Sequence, residues 1–165
     1  MKLTPEKLME LALAQAQKAL QMEEVPIGAI IVQEKDPESG LELPEPLIIS
    51  EAHNDRETSF NPVGHAELLA IHKASQKLGR WRLKGCTLYV TLEPCLMCSG
   101  AIVLSRLDKV VYGTHDPKAG AVKSLYQTLS DSRLNHRPEV IHGVLESQCS
   151  QILKDFFAKK RIIEK

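Results

Sequence analysis

The sequence predicts an α/β protein, a three-layer α/β/α sandwich with helices on both faces of one central sheet. Two observations support this class. Short apolar runs of strand length alternate along the chain with segments whose apolar residues recur at helical spacing. The chain has 165 residues, about the length of one domain, and no linker or internal repeat divides it. We therefore expect a single domain over residues 1–165.

The first elements are a helix and a hairpin. Thr4-Pro5 is a helix-start signal, because Thr caps a helix N-terminus and Pro fits its first turn, and apolar residues then recur at helical spacing as far as Leu20. Apolar runs over residues 27–32 and 47–52 predict two strands. Residues 33–46 between them are rich in Pro and acidic residues, which predicts an exposed, hairpin-like insertion.

Helices and strands continue to alternate over residues 53–113. A polar loop over residues 53–64 leads to a helix predicted over residues 65–78. A strand over 86–92, a helix over 95–105 and a buried strand over 110–113 follow. This order favours helices packed on both sides of the sheet.

Composition places the chain among ordinary globular proteins. Hydrophobic residues make up 43% and charged residues 25%, and 21 basic residues balance 21 acidic ones, so nothing in the net charge attracts nucleic acid and any RNA site must be a local patch. Residues 1–7 lack the apolar core of a signal peptide, and no apolar run is long enough to span a membrane. We therefore expect a cytoplasmic location, where the four cysteines are reduced and closely spaced ones indicate metal or catalytic sites.

Two short segments carry the chemistry, His65-Ala66-Glu67 and Pro94-Cys95-Leu96-Met97-Cys98. Together they match the H-x-E…P-C-x-x-C signature of zinc nucleobase deaminases. Cysteines three residues apart on a helical turn face the same side, and two thiolates with one imidazole fill three positions of a tetrahedral zinc and leave the fourth for water. Pro94 suits the start of a helix whose dipole favours thiolates. Glu67 is then better placed as a proton shuttle than as a ligand.

Simpler explanations of the cysteine pair are weaker. A structural site with four cysteine ligands needs a second close pair, whereas Cys86 and Cys149 are far apart in sequence. Thioredoxin-like redox chemistry would explain neither His65 nor Glu67. A catalytic zinc site remains the best interpretation.

Nearly the whole chain resembles the bacterial tRNA-specific adenosine deaminases, within the cytidine deaminase superfamily. The exception is the segment around residues 33–46, which is longer than the hairpin expected in that family. The matching segments occur in the family's order: Glu24-Val25-Pro26-Ile27-Gly28-Ala29, Asn54, Gly64-His65-Ala66-Glu67, the run from Leu88 to Ala101, Asp116-Pro117-Lys118-Ala119-Gly120, Asn135-His136-Arg137 and Asp155-Phe156-Phe157.

The resemblance implies a cytidine-deaminase-like fold with a mixed sheet of about five strands, one zinc ion per chain and a homodimer. It also implies conversion of adenosine to inosine at the wobble position of an arginine tRNA anticodon. Single-stranded loop bases are recognised by stacking and edge hydrogen bonds, with the target base turned out of its stack, which suits such a substrate.

The resemblance further implies substrate contacts. Asn54 would hydrogen-bond the flipped nucleoside and Ile27 would form part of the base pocket wall. The other candidates are Ala66 and Pro94 as substrate-binding residues, Asp116 and Lys118 at nucleotides flanking the target, and Phe156 and Phe157 on a terminal helix that holds splayed bases. Five basic residues within 154–165 could meet phosphates, although a charged terminal helix is often only a solvated face.

Two alternatives stay open. A deaminase of free nucleobases or nucleosides, such as guanine or cytidine, would share the zinc motif, but the matches at Asn54, at residues 116–120 and in the terminal helix disfavour it. A noncatalytic zinc module that only binds RNA would not need Glu67.

Overall fold

Five strands form one mixed sheet in a computed structural model that describes residues 2–164. The strand order is β2-β1-β3-β4-β5, in which β1 is antiparallel to β2 and β3, whereas β4 is parallel to β3 and β5. The elements in chain order are α1 (Pro5–Gln21), β1 (Gly28–Lys35), β2 (Glu42–His53), α2 (Ala66–Leu78), β3 (Cys86–Leu92), α3 (Leu96–Ser105), β4 (Lys109–Thr114), a 3-10 turn (Thr128–Ser130), β5 (Glu139–His142) and α4 (Glu146–Glu164). The α/β class and the mixed sheet are confirmed.

Helices cover both faces of the sheet, so the predicted three layers are present. Alternate residues of β1 point to opposite faces, as a strand requires. Ala29 and Ile31 pack with residues of α2 and α3, whereas Ile30 and Val32 pack with residues of α1 and α4. Apolar clusters on both faces hold the four helices to the sheet.

The segment over residues 33–46 forms the far end of the β1–β2 hairpin. Both strands are longer than their apolar runs, because β1 continues through polar residues to Lys35 and β2 begins at Glu42. The Glu34 carboxylate accepts hydrogen bonds from the hydroxyls of Thr87 (2.8 Å) and Tyr89 (2.7 Å), and Lys109 Nζ lies 2.9 Å from it. These contacts fix the polar end of β1 onto the sheet.

Two helix N-termini meet at one end of the sheet. The chain leaves β3 at Leu92 and enters α3 at Leu96, and α2 begins at Ala66 beside it. This arrangement brings the two sequence motifs together. None of the helices within residues 2–164 combines the length and apolarity needed to cross a membrane.

Candidate active site

Three predicted ligands converge where α2 and α3 begin. His65 is the N-cap residue of α2, Cys95 is the N-cap residue of α3, and Cys98 lies in the first turn of α3. The Nδ1 atom of His65 lies 3.6 Å from the sulfur of Cys95 and 3.5 Å from that of Cys98. Tetrahedral zinc with ordinary Zn–N and Zn–S bond lengths separates such donors by about 3.5 Å. The three side chains could therefore hold a zinc-sized cation.

The start of α3 differs slightly from the sequence prediction. Cys95 has an extended backbone and caps the helix, so Pro94 lies one residue before the cap and not in the first turn. Neither Cys95 nor His65 uses its side chain to cap its helix, which leaves both donors available to a metal. The positive ends of two helix dipoles still meet at the site and favour negative ligands.

The three donors perturb one another. A hydrogen bond with the Cys98 side chain lowers the pKa of the Cys95 thiol to about 4. Burial opposes this shift, and a hydrogen bond with His65 adds to it. Contact with Cys95, together with burial, raises the pKa of the Cys98 thiol, and the hydrogen bond to Cys95 raises the pKa of His65. One thiolate is thus favoured at Cys95, and a divalent cation would favour a second at Cys98.

Glu67 lies in the first turn of α2, two residues after His65. Its side chain is buried, with only 4% exposed, and it is outside the group of three donors although it lines the same cavity. Burial raises the pKa of this carboxyl above its ordinary value. A carboxylate with a raised pKa is a stronger proton acceptor than an ordinary one, which suits a proton-transfer role.

A cavity of about 590 Å³ opens above these groups. Seven predicted residues besides Cys95 line it, namely Ile27, Asn54, His65, Glu67, Asp116, Lys118 and Phe157. Three predicted substrate-binding residues, Ala66, Pro94 and Phe156, are absent from its lining within residues 2–164. Ala66 and Pro94 are buried and contribute backbone atoms to hydrogen bonds, and Phe156 packs edge-on against Phe157 with ring centroids 5.2 Å apart.

The cavity rim carries four basic side chains from three parts of the fold. Arg56 comes from the loop after β2, Lys118 from the loop after β4, and Lys154 and Arg161 from α4. The last two belong to the basic stretch noted in the sequence, whose Lys165 lies outside the described residues. The overall neutral chain thus has the local positive patch that a polyanion needs.

Arg56 and His115 had no role predicted from the sequence, although both line the cavity. His115 Nδ1 lies 3.1 Å from the Tyr112 hydroxyl and 3.5 Å from a carboxylate oxygen of Glu93. Each of the two cavity residues adjoins a recognised segment, since Arg56 follows Asn54 by two positions and His115 directly precedes Asp116. This closeness to recognised segments is the signal by which the sequence could have indicated the two residues.

Buried Glu24 holds the loop that carries Arg56. Its carboxylate accepts hydrogen bonds from the backbone N–H groups of Arg56 (3.1 Å), Glu57 (2.8 Å) and Thr58 (2.8 Å). The loop therefore has a fixed path between Asn54 and His65 although it lacks regular secondary structure.

Comparison with known proteins agrees with this geometry. The profile of the MafB19-like deaminase family matches residues 4–161. The tRNA-specific adenosine deaminase of Bacillus subtilis (strain 168) is 47% identical over 156 residues, which cover 94% of this chain and 90% of that protein.

Two solved structures extend the comparison. A structure from a study of A-to-I editing by tRNA:A34 deaminases at the wobble position of transfer RNA has a TM-score of 0.78 at 40% identity, over 88% of this chain and 98% of that one. The guanine deaminase of Bacillus subtilis is 37% identical with a TM-score of 0.56, over 67% of this chain and 64% of that one. The matches to the tRNA-specific adenosine deaminase of Bacillus subtilis and to the structure from the tRNA:A34 deaminase study cover most of this chain at 40–47% identity. The chain therefore belongs to the tRNA-specific adenosine deaminase family.

Proposed function

We propose that this protein hydrolyses adenosine to inosine at the wobble position of a tRNA anticodon. The observation that carries the proposal is the convergence of His65, Cys95 and Cys98 beside buried Glu67 at the base of an open cavity. The resident cation is zinc, one per chain, because two thiolates and an imidazole at these distances suit it. The names of the similar proteins support the same activity.

The reaction replaces the exocyclic amine of the base by oxygen. Zinc, when bound, supplies the Lewis acidity that makes a water nucleophilic at neutral pH. Glu67 accepts one proton from the attacking water and passes it to the ring nitrogen, and it then takes the second proton from the new C6 hydroxyl group and passes it to the departing amine. The oxygen of water forms a bond to C6 of adenine, the C6–N6 bond breaks, and ammonia leaves. The raised pKa of Glu67 suits both steps.

The cavity suits a nucleoside that is still part of an RNA chain. Asn54 and Ile27 lie beside the metal-binding residues and can contact the nucleoside, while the basic rim faces outward. A free base carries no phosphate, so it would make no use of Arg56, Lys118, Lys154 and Arg161. This contrast favours RNA over free guanine, despite the similarity to a guanine deaminase. The proposed substrate is the anticodon stem-loop of an arginine tRNA in the cytoplasm.

The outer face of α3 supports a homodimer. This helix contains no charged residue, yet Leu96 is 55% and Leu104 70% exposed, and the space in front of Gly100 is open. Exposed leucines on an uncharged helix are typical of surfaces that pack against a partner. A second copy of the chain, placed against this face, would bury them.

An assay that compares separate substrates tests the proposal. The zinc-loaded protein is incubated with an anticodon stem-loop bearing a wobble adenosine and, separately, with adenosine, guanine and cytidine. We expect inosine in the stem-loop and little product from the small molecules. Rapid turnover of free guanine or cytidine, with an unreacted stem-loop, would instead establish a free-base or nucleoside deaminase. Tight RNA binding without turnover of any substrate would indicate a noncatalytic module.

A further inference from the structure

We propose that Glu93 is a positioning residue that fixes the loop over residues 115–124, and through it the contacts that Lys118 makes with RNA beside the target adenosine. This inference rests on the proposed function. Glu93 directly follows β3 and is 2% exposed. The loop runs along one wall of the cavity, where Asp116, Pro117, Lys118 and Ala119 all contribute to the lining.

The Glu93 carboxylate accepts five hydrogen bonds from the 115–124 loop. Its Oε1 atom accepts from the Asp116 N–H (3.0 Å) and the Ser124 hydroxyl (2.5 Å). Its Oε2 atom accepts from the N–H groups of Val122 (3.0 Å), Lys123 (2.9 Å) and Ser124 (3.0 Å). Both ends of the loop are therefore held by one side chain, so the residues between them have little freedom to move.

Close backbone packing supports the same attachment. Gly120 pairs with Cys95 through an isolated antiparallel bridge, and the Ala121 N–H donates to the Pro94 carbonyl at 2.9 Å. A Cβ atom at Gly120 would overlap the Glu93 carboxyl group. The loop thus lies directly on residues 93–95, and its distance from the metal-binding Cys95 is set by these contacts.

The arrangement assigns positioning, and not proton transfer, to Glu93. A carboxylate has about four lone-pair sites, and five donors from the loop already occupy them. Its oxygens have no capacity left for a substrate. Glu93 also lines the cavity, but because its oxygens are engaged by the loop, Glu67 remains the carboxyl group assigned to proton transfer.

Glu93 positions Lys118 through Asp116. Glu93 fixes the Asp116 backbone, and the Asp116 side chain in turn accepts hydrogen bonds from the N–H groups of Lys118 (3.0 Å) and Ala119 (3.3 Å). The Oδ1 atom of Asp116 is thus committed to shaping this turn. Lys118 at the rim is left to contact the RNA directly.

The test is a Glu93→Gln variant, because an amide of the same shape places an NH2 donor against loop donors. Single-turnover deamination of the stem-loop is measured over a range of enzyme concentrations. We expect the half-saturating concentration to rise about tenfold, typical of one lost charge-assisted hydrogen bond, with the limiting rate and zinc content within about twofold of the original. Glu139→Gln, the same change at an exposed residue of β5, is the matched control and should change neither value.

A second measurement follows local opening of the 115–124 loop and does not depend on deaminase activity. Amide hydrogen exchange at residues 116–124 should accelerate in Glu93→Gln and not in the control. Ser124→Ala removes one hydrogen bond, should give a smaller effect of the same kind, and serves in place of Glu93→Gln if that variant does not fold. The proposal would be overturned if Glu93→Gln left the half-saturating enzyme concentration unchanged, or if it lowered only the limiting rate. If the original protein left the stem-loop unreacted, the proposed function would fail, and RNA affinity of the same variants would still decide the role of Glu93.

Discussion

The side-chain oxygen of Asn54 accepts a hydrogen bond of 2.9 Å from the backbone N–H of Ala66, the first residue of α2. This contact satisfies one of the N–H groups that every helix start leaves without an intrahelical partner. The side-chain nitrogen of Asn54 has no hydrogen-bond partner within residues 2–164, and the residue lines the cavity. Asn54 thus has two separable jobs: its oxygen holds the helix that carries Glu67, and its nitrogen can donate to the nucleoside.

Two substitutions at Asn54 separate these jobs. Asn54→Asp keeps the acceptor for Ala66 but removes the donor, so we expect normal thermal stability and deamination reduced about tenfold or more. Asn54→Ala removes both, and should also lower the free energy of unfolding by about 1 kcal/mol, the usual cost of a lost helix cap. Thermal unfolding and single-turnover rates of the two variants provide the comparison. Full activity of Asn54→Asp would mean that the nitrogen does not contact substrate.

Metal content should depend on Cys95 and not on Cys86. Cys95→Ala removes one of three donors, and we expect it to lose nearly all bound zinc and all activity. Cys86 is fully buried in the sheet core, where burial raises the pKa of its thiol to about 11, so Cys86→Ala should keep about one zinc per chain. Elemental analysis of the purified variants measures this. The reverse pattern would show that the ligand set is wrong.

The attachment of the hairpin through Glu34 predicts a pH-dependent stability. Burial opposes the charge, but hydrogen bonds from Lys109, Tyr89 and Thr87 outweigh it and lower the pKa of Glu34 below its ordinary value of 4.5. A group whose pKa is lowered by folding stabilises the protein above its unfolded-state pKa, and that contribution is lost as the pH falls through the folded-state pKa.

Glu34→Gln should therefore destabilise the zinc-free protein by roughly 1 kcal/mol at neutral pH, and by progressively less below pH 4.5. Urea unfolding of both proteins across this range gives the difference. Glu42→Gln, at an exposed position of the same hairpin, is the control and should have little effect at either pH. A difference that stayed constant with pH would contradict the role given to the Glu34 charge.

The exposed leucines of α3 predict the effect of a charge on assembly. The original protein should have about twice the 18.4 kDa mass of one chain in light scattering after gel filtration. Leu104→Glu should reduce the mass to that of one chain, because a carboxylate at a dimer interface loses its hydration. Leu41→Glu places the same charge on the hairpin, where Leu41 is 71% exposed, and should leave the mass unchanged. A monomeric original protein would remove the homodimer from the account.

The periodicity of apolar residues predicted most of the helices and strands, but it failed where polar residues lie in strands. The buried strands β3 and β4 were found within one residue at each end, because β3 alternates at strand spacing and β4 contains a short apolar run. β1 and β2 were predicted too short, since Gln33 and Glu34 look like loop residues until their partners across the sheet are known. β5 has four residues, of which three are exposed, so no apolar pattern marked it.

The grouping of His65, Cys95 and Cys98 could be predicted because the spacing within their two sequence motifs is short and typical of metal ligands. Glu24 and Glu93 could not be predicted in the same way, although both lie in segments that the sequence singled out. Carboxylates are usually solvated, and these two are buried by donors 23 to 34 residues further along the chain. Only the folded chain brings each carboxylate and its loop together.

The most direct test of the account is to map inosine in an arginine tRNA treated with the original protein and with Glu67→Ala. Glu67 lies outside the donor group, so the variant should keep about one zinc per chain and bind the RNA with normal affinity. Loss of proton transfer should slow inosine formation at the wobble position by about 10²–10⁴-fold or more, as general acid–base steps typically contribute. Inosine at the wobble position from the original protein, and almost none from the variant, is the expected result. Near-normal inosine formation by a zinc-loaded Glu67→Ala would contradict the mechanism, and no inosine from the original protein would contradict the function.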